Sequence, residues 1–272
     1  MDLNQVLIEA AKDGNMLVLK TALEKGADIN AADSLGMTAL MYADKNGHNQ
    51  VADYLKEKGA ENKGSYTILS GVFLIRGITN IDLGEYQEAI NDFNSALELG
   101  GEKADVYSNR GHAYAGLGQY QEAFNDYAKA IELDSENATT YYFRGNAYFE
   151  LGQYQKSIED YTRAIELNPE YAVAFYNRGV AFSKLGKYQE AFEDYTRAIE
   201  LNPEDADAYY FRGVAYVNFH QYQDAIDDCY QAGRLYIEKE DKTNAQRCID
   251  TIKIIDSHSS LILKLEDLID QI

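Results

Sequence analysis

Residues 138–170 read ATTYYFRGNAYFELGQYQKSIEDYTRAIELNPE, and this stretch decides the fold. In its first half, Tyr141, Arg144, Gly145 and Tyr148 recur at spacings of three and four, one face of a helix. Gly152 follows, suited to a left-handed helix end where a Cβ is penalised. The second half repeats the helical spacing with Tyr161, Ala164, Ile165 and Leu167. Asn168-Pro169 closes it, because proline has no N–H to continue a helix and restrains the residue before it. The unit is a helix–turn–helix hairpin.

The unit is repeated. Arg-Gly pairs stand at Arg76-Gly77, Arg110-Gly111, Arg144-Gly145, Arg178-Gly179 and Arg212-Gly213, always 34 residues apart. A fixed period of this length predicts an all-α repeat solenoid, each unit contacting mainly its neighbours. Gly145 and Ala164, with their equivalents in the other units, are small where two helices must approach. The tyrosine stripe (Tyr148, Tyr154, Tyr161) is read as core filling, which accounts for 23 tyrosines and no tryptophan.

The period, the Gly-x-x-Tyr, the later Ala-x-x-x-Tyr-x-x-Ala and the closing proline resemble the tetratricopeptide repeat family. Five units fit, at about 70–103, 104–137, 138–171, 172–205 and 206–239 within a region 63–239. The departures lie mostly in the end units. The first has Asn80 for the aromatic and Gly101 for the proline, and the second has Ser135 there. The fifth has His220 for the turn glycine and Cys229 for the aromatic. Residues 1–62 follow another phase. GADINAAD at 26–33, GMTALMYA at 36–43 and the later KNGHNQVADYLKEKGAE resemble two ankyrin repeats. Two such units are too few to stand alone, so this segment is expected to lean on the first tetratricopeptide hairpin across a short joint at 60–66. Residues 240–272 carry two apolar stripes, Ala245 to Ile255 and Leu261 to Ile272, expected to be helices capping the open end.

Composition excludes several functions. Net charge is −20, from 45 acidic and 25 basic residues, which disfavours nucleic acid. No apolar run reaches the length of a membrane span. The start lacks a basic and apolar leader, so a cytoplasmic location is expected. Cys229 and Cys248 are expected to be reduced core thiols. The four histidines show no metal-ligand spacing, and no nucleophile elbow or phosphate loop is present, so no enzyme activity, metal or cofactor is expected.

One ionic pattern recurs in every unit. Asp92, Asp126, Asp160, Asp194 and Asp228 each follow by 16 residues Arg76, Arg110, Arg144, Arg178 and Arg212. Five-fold recurrence predicts structural bridges between the two helices of each hairpin.

The resemblance implies that the first helix of each hairpin lines a concave groove. The implied lining is Leu74, Ile78, Asn109, His112, Tyr142, Phe143, Asn146, Phe149, Tyr176, Asn177, Val180, Tyr210, Phe211 and Val214. Exposed aromatics with amide groups suit a peptide or helix partner with apolar anchors, and the negative charge suits basic flanks on it. Co-chaperone relatives use a basic clamp for an acidic tail. Asn146 and Asn177 match its amides, but Tyr142, Asp207 and Phe211 replace its cations. The function expected is a non-catalytic interaction scaffold. The alternative is a self-assembly module, homo-oligomeric, with the groove filled by a second copy or by the chain's own tail.

Overall fold

The computed structural model describes residues 2–34, 36–61, 65–100 and 103–271, with the side chains of 65–68 left undescribed. Residues 62–64 of the expected joint, and Gly101, lie outside the described residues. The described elements are all helices, and the single β-bridge, Ala32 with Thr38, is isolated. The chain forms two compact units, Met1–Gly118 and Gln119–Ile272.

The first unit holds α1 (Leu3–Lys12), α2 (Met16–Glu24), α3 (Ala39–Lys45), α4 (Asn49–Glu57), α5 (Ser65–Asp82), α6 (Tyr86–Gly100) and α7 (Ala104–Gly116). Thr38 starts α3, its side chain accepting from the Met41 N–H. Asn46 Nδ2 donates to the Lys12 carbonyl at 2.9 Å, and His48 Nε2 sits at the same distance from it. The NGH turn thereby meets the carbonyl of the last residue of α1, one of those a helix end leaves without an intrahelical partner. Leu7, Leu19, Leu40 and Leu55 form one core. Met37 and Met41 belong to another, shared with Leu69, Phe73, Ile90 and Phe93 of α5 and α6. Lys45 pairs with Glu98 at 3.1 Å over the same contact. The N-terminal hairpins thus bury two methionines outside their own core, as the shortage of ankyrin units predicts.

The second unit holds α8 (Tyr120–Leu133), α9 (Ala138–Glu150), α10 (Tyr154–Leu167), α11 (Ala172–Lys184), α12 (Tyr188–Leu201), α13 (Ala206–Asn218), α14 (Tyr222–Glu238), α15 (Lys242–Ile255) and α16 (Ser260–Ile269). Asn137 caps α9 and Asp205 caps α13 through backbone N–H groups. The intra-hairpin turns carry Gly152 at φ 69° and Gly186 at φ 74°, and His220 takes that left-handed place at φ 57°. Tyr127, Tyr161 and Tyr195 are almost fully buried, one per hairpin. Cys229 and Cys248 are buried free thiols in the core that α13 and α14 share with α15 and α16.

Burial pushes up the hydroxyls of Tyr127, Tyr161 and Tyr195, the last to about 12, and both thiols to about 12. Each folded value lies above its unfolded one, so the folded state holds these protons more tightly. Their stabilising contribution is complete below the unfolded values, about 8.5 for cysteine and 10 for tyrosine. It is lost as pH rises through the folded ones. Chemical denaturation at pH 8 and at stepped pH above 10 should show stability falling steeply toward pH 12. A flat profile would mean that these groups already titrate in water.

Candidate functional site

Most of the recurring Arg and Asp residues meet in direct contact. Arg144 reaches Asp160 with two parallel bonds of 2.8 and 2.7 Å, Arg178 reaches Asp194 with 2.8 and 2.7 Å, and Arg212 reaches Asp228 with 2.7 and 2.9 Å. Arg76 grips Asp92 in the same fork, its Nε at 2.7 Å. Arg110 donates to Asn94 at 2.6 Å, and Asp126 is buried. Arg178 makes the analogous backward bond, Nη1 to Thr162 Oγ1 at 3.0 Å, so it ties its hairpin to the one before. Burial pushes the Asp194 and Asp228 carboxyls upward against the pull of their arginines. The hydrogen bond to Asp160 raises Arg144. Asp92, Asp160, Asp194 and Asp228 are buried and each is gripped by the arginine of its own hairpin, so these four pairs join the two helices of their hairpins.

The expected groove residues fall on both units. In the first, Leu74 packs against the α5–α7 core, Ile78 is exposed and Asn109 turns back onto the Asp105 carbonyl at 2.8 Å. Partial burial lowers the His112 imidazole, opposed by the charge of Asp82.

In the second unit the structure brings five of them together. A cleft of about 370 Å³ between α9 and α11 is lined by Asn146, Phe149, Tyr176, Asn177 and Val180, with Glu150 and Tyr161. Its floor is a hydrogen-bonded relay. Tyr161 Oη donates to Asn146 Oδ1 at 2.6 Å, and Asn177 Nδ2 lies 3.3 Å from that oxygen and 3.0 Å from Tyr142 Oη. Reversing both amides reverses every donor and keeps the relay whole. In either sense one amide carbonyl and one amide NH2 stay outside it, the pair that a peptide backbone would meet.

Three expectations about this face need correction. Tyr210 does not line an open groove. It is 6% exposed, its ring lies 4.2 Å beneath the Arg247 guanidinium, and its hydroxyl meets Thr251 at 3.3 Å. Arg247 and Thr251 belong to α15, so the tail covers α13 at Tyr210, and the partly buried Phe211 and Val214 pack against the same core. Tyr142 and Tyr176 are also not free-standing. Tyr142 sits 6.0 Å from Tyr161 and 5.1 Å from Tyr171, and Tyr176 sits 6.1 Å from Tyr195 and 6.0 Å from Phe211, centroid to centroid. Their removal will therefore cost stability as well as any binding. Phe143, expected beside them, has its ring 5.8 Å from that of Tyr142.

Two lining residues were missed. Tyr161 is core, as its spacing predicts, but it also lines the cleft, where its hydroxyl donates to Asn146. Glu150 is the last residue of α9, one turn beyond Asn146, a spacing that could have flagged it.

Comparison with known proteins settles the family. A TPR repeat model matches residues 80–118 and 145–186, tetratricopeptide repeat models match 104–137, 172–205 and 194–227, and a model of ankyrin repeats in many copies matches 7–61. The chain belongs to the tetratricopeptide repeat family, with ankyrin repeats at its N-terminal end. Two human proteins share part of it. One is a mitochondrial disaggregase, 37% identical over 99 residues, which are 34% of this chain and 14% of that one. The other is ankyrin repeat domain-containing protein 39, 39% identical over 61 residues, 22% of this chain and 33% of that one. The chain therefore spans a third or less of either relative. Among solved structures, MamA matches at 27% identity with a TM-score of 0.53, over 60% of this chain and 95% of that one. PilF of Pseudomonas aeruginosa matches at 19% identity with a TM-score of 0.55, over 73% and 96%, a likeness of fold.

As a tetratricopeptide–ankyrin chain, the protein is an interaction scaffold of a kind that is generally non-catalytic. No described helix is long and apolar enough to cross a membrane, and no cluster of three potential metal ligands occurs among the described residues.

Proposed function

We propose that the protein recruits a partner peptide through the α9–α11 face, with the partner's apolar side chains entering the cleft over Phe149, Tyr176 and Val180. The observation that carries this reading is the cleft itself: aromatic and aliphatic walls, and a floor where two asparagines leave one donor and one acceptor unspent. An extended strand needs both from whatever holds it. Partly buried aromatics lose little rotamer entropy on binding, so the walls suit anchors. The self-assembly alternative draws support only at α13, where α15 covers Tyr210 and leaves the α9–α11 cleft open.

The test is panning of a random peptide display library against the full chain, with Val180→Arg as the blocked control. Val180 is half-buried on the cleft wall, and a long side chain there fills the cleft while its charge reaches solvent. The expected result is a set of apolar-anchored peptides whose binding falls at least tenfold in the variant, a loss of about 1.4 kcal/mol or more, with its melting curve unchanged. Peptides that bind both proteins equally would move recognition to another surface.

A further inference from the structure

The Glu150 carboxylate is exposed at the cleft rim, and no basic side chain among the described residues pairs with it within 4 Å. The same register position carries Asp82, Gly116, Lys184 and Asn218 in the other hairpins. A carboxylate therefore stands there in two of the five hairpins and is not fixed by the repeat, and within Gln119–Ile272 Glu150 alone carries one at that position. Around it are the aromatic rings of Phe149 and Tyr176, Val180 as an aliphatic wall, and the amide carbonyl that the relay leaves over. Asp205 and Asp207 add negative charge near the Tyr176 hydroxyl, against Arg247, whose guanidinium is stacked on Tyr210.

This combination has one well-matched occupant. A lysine or arginine is apolar along its stem and cationic at its tip, and it lies along apolar walls with its head in polar surroundings. Ring faces attract the cation, the leftover carbonyl accepts from it, and Glu150 neutralises it through a charge-assisted bond. An apolar anchor on the walls would by itself leave Glu150 at the rim without a partner, so a basic residue beside that anchor completes the match. An acidic anchor would meet like charge. On the foundation of the recruitment reading above, we propose that the α9–α11 cleft selects a lysine or arginine beside the partner's apolar anchor, with Glu150 as the specificity-determining residue.

The experiment uses the same peptide library against the full chain, the Glu150→Gln variant and the Glu150→Lys variant. Glu150 is exposed at a helix end, so all three should fold alike, checked by thermal melts. Peptides taken by the unmodified chain should carry a lysine or arginine at one fixed offset from an apolar residue. Glu150→Gln should keep the apolar residue, lose the basic preference and bind the selected peptide about tenfold more weakly. Glu150→Lys should turn the preference toward aspartate or glutamate. If the unmodified chain and Glu150→Gln select one motif with equal affinity, the inference fails while the recruitment reading stands. Apolar peptides with no basic position would overturn it in the same way. If no peptide is enriched, or none is sensitive to Val180→Arg, recruitment at this face fails and the inference falls with it.

Discussion

Replacing Asp194 by alanine is expected to destabilise the protein by about 3–5 kcal/mol. Asp194 is 5% exposed and takes both bonds of the Arg178 fork. Removing it leaves a guanidinium with a side-chain exposure of 17%, still bonded to Thr162 and unable to swing out to water without breaking that bond. The cost is that of a stranded charge and exceeds the worth of the intact pair. Two consequences separate this account from simple contact loss. Across the series the cost should fall in the order Asp194, Asp160, Asp92, because the arginine left behind is 17%, 26% and 45% exposed. Replacing both partners, Arg178→Met with Asp194→Leu, should be milder than Asp194→Ala alone, since no charge remains. Equilibrium urea unfolding of the four variants checks both. Equal costs at Asp92 and Asp194 would show that the arginines escape to solvent.

Gly179→Val is expected to cost about 3 kcal/mol, at the upper end of overpacking effects. A Cβ at Gly179 would lie 2.8 and 2.9 Å from ring carbons of Tyr195 and 3.2 Å from the Ala191 carbonyl oxygen. The ring cannot yield: Tyr195 is fully buried and its hydroxyl is 3.1 Å from Ser183 Oγ. The carbonyl is helix backbone and cannot yield either, so α11 and α12 must separate. Tyr195→Ala by itself opens a cavity and should cost about 3–5 kcal/mol. Combined with Gly179→Val it should cost less than the two added together, because the valine then grows into space the ring vacated. Thermal melts of the three proteins decide it, and strict additivity would mean that the close contact is with the carbonyl alone.

Both effects arise from features that one sequence makes legible. The Arg-Gly period pointed to the repeat, and the Arg–Asp spacing of 16 placed partners across each hairpin. Both are local matters. A hairpin of two helices joined by a short turn brings residues 16 apart to one level whatever the rest of the chain does, and helical spacing is set by the backbone. Copying the unit five times made the signal stand out from chance. The ankyrin segment was legible for the same reason, through its turns, and its small number of units led to the expectation of packing against α5, where Met37 and Met41 share a core with Leu69 and Phe73.

The groove was legible only in part. Periodicity says which side of a helix a residue occupies, but not what a distant segment lays over it. Tyr142, Tyr176 and Tyr210 hold one register position, and from sequence alone they are equivalent. The tertiary structure separates them: α15 arrives 30 or more residues later and buries Tyr210 under Arg247, while the cleft beside Tyr176 stays open. The asparagine relay has the same origin. Its bonds join Tyr161 to Asn146 and Asn177 to Tyr142, across two hairpins, and depend on ångström distances that no spacing encodes. By itself the sequence determined the family, the hairpins and their internal ion pairs, because those follow from short-range helical geometry repeated in register. Which aromatics are covered, and where a cleft with an unpaired carboxylate remains, only the packing of hairpin on hairpin and tail on stack decided, because burial is a property of all the neighbours at once.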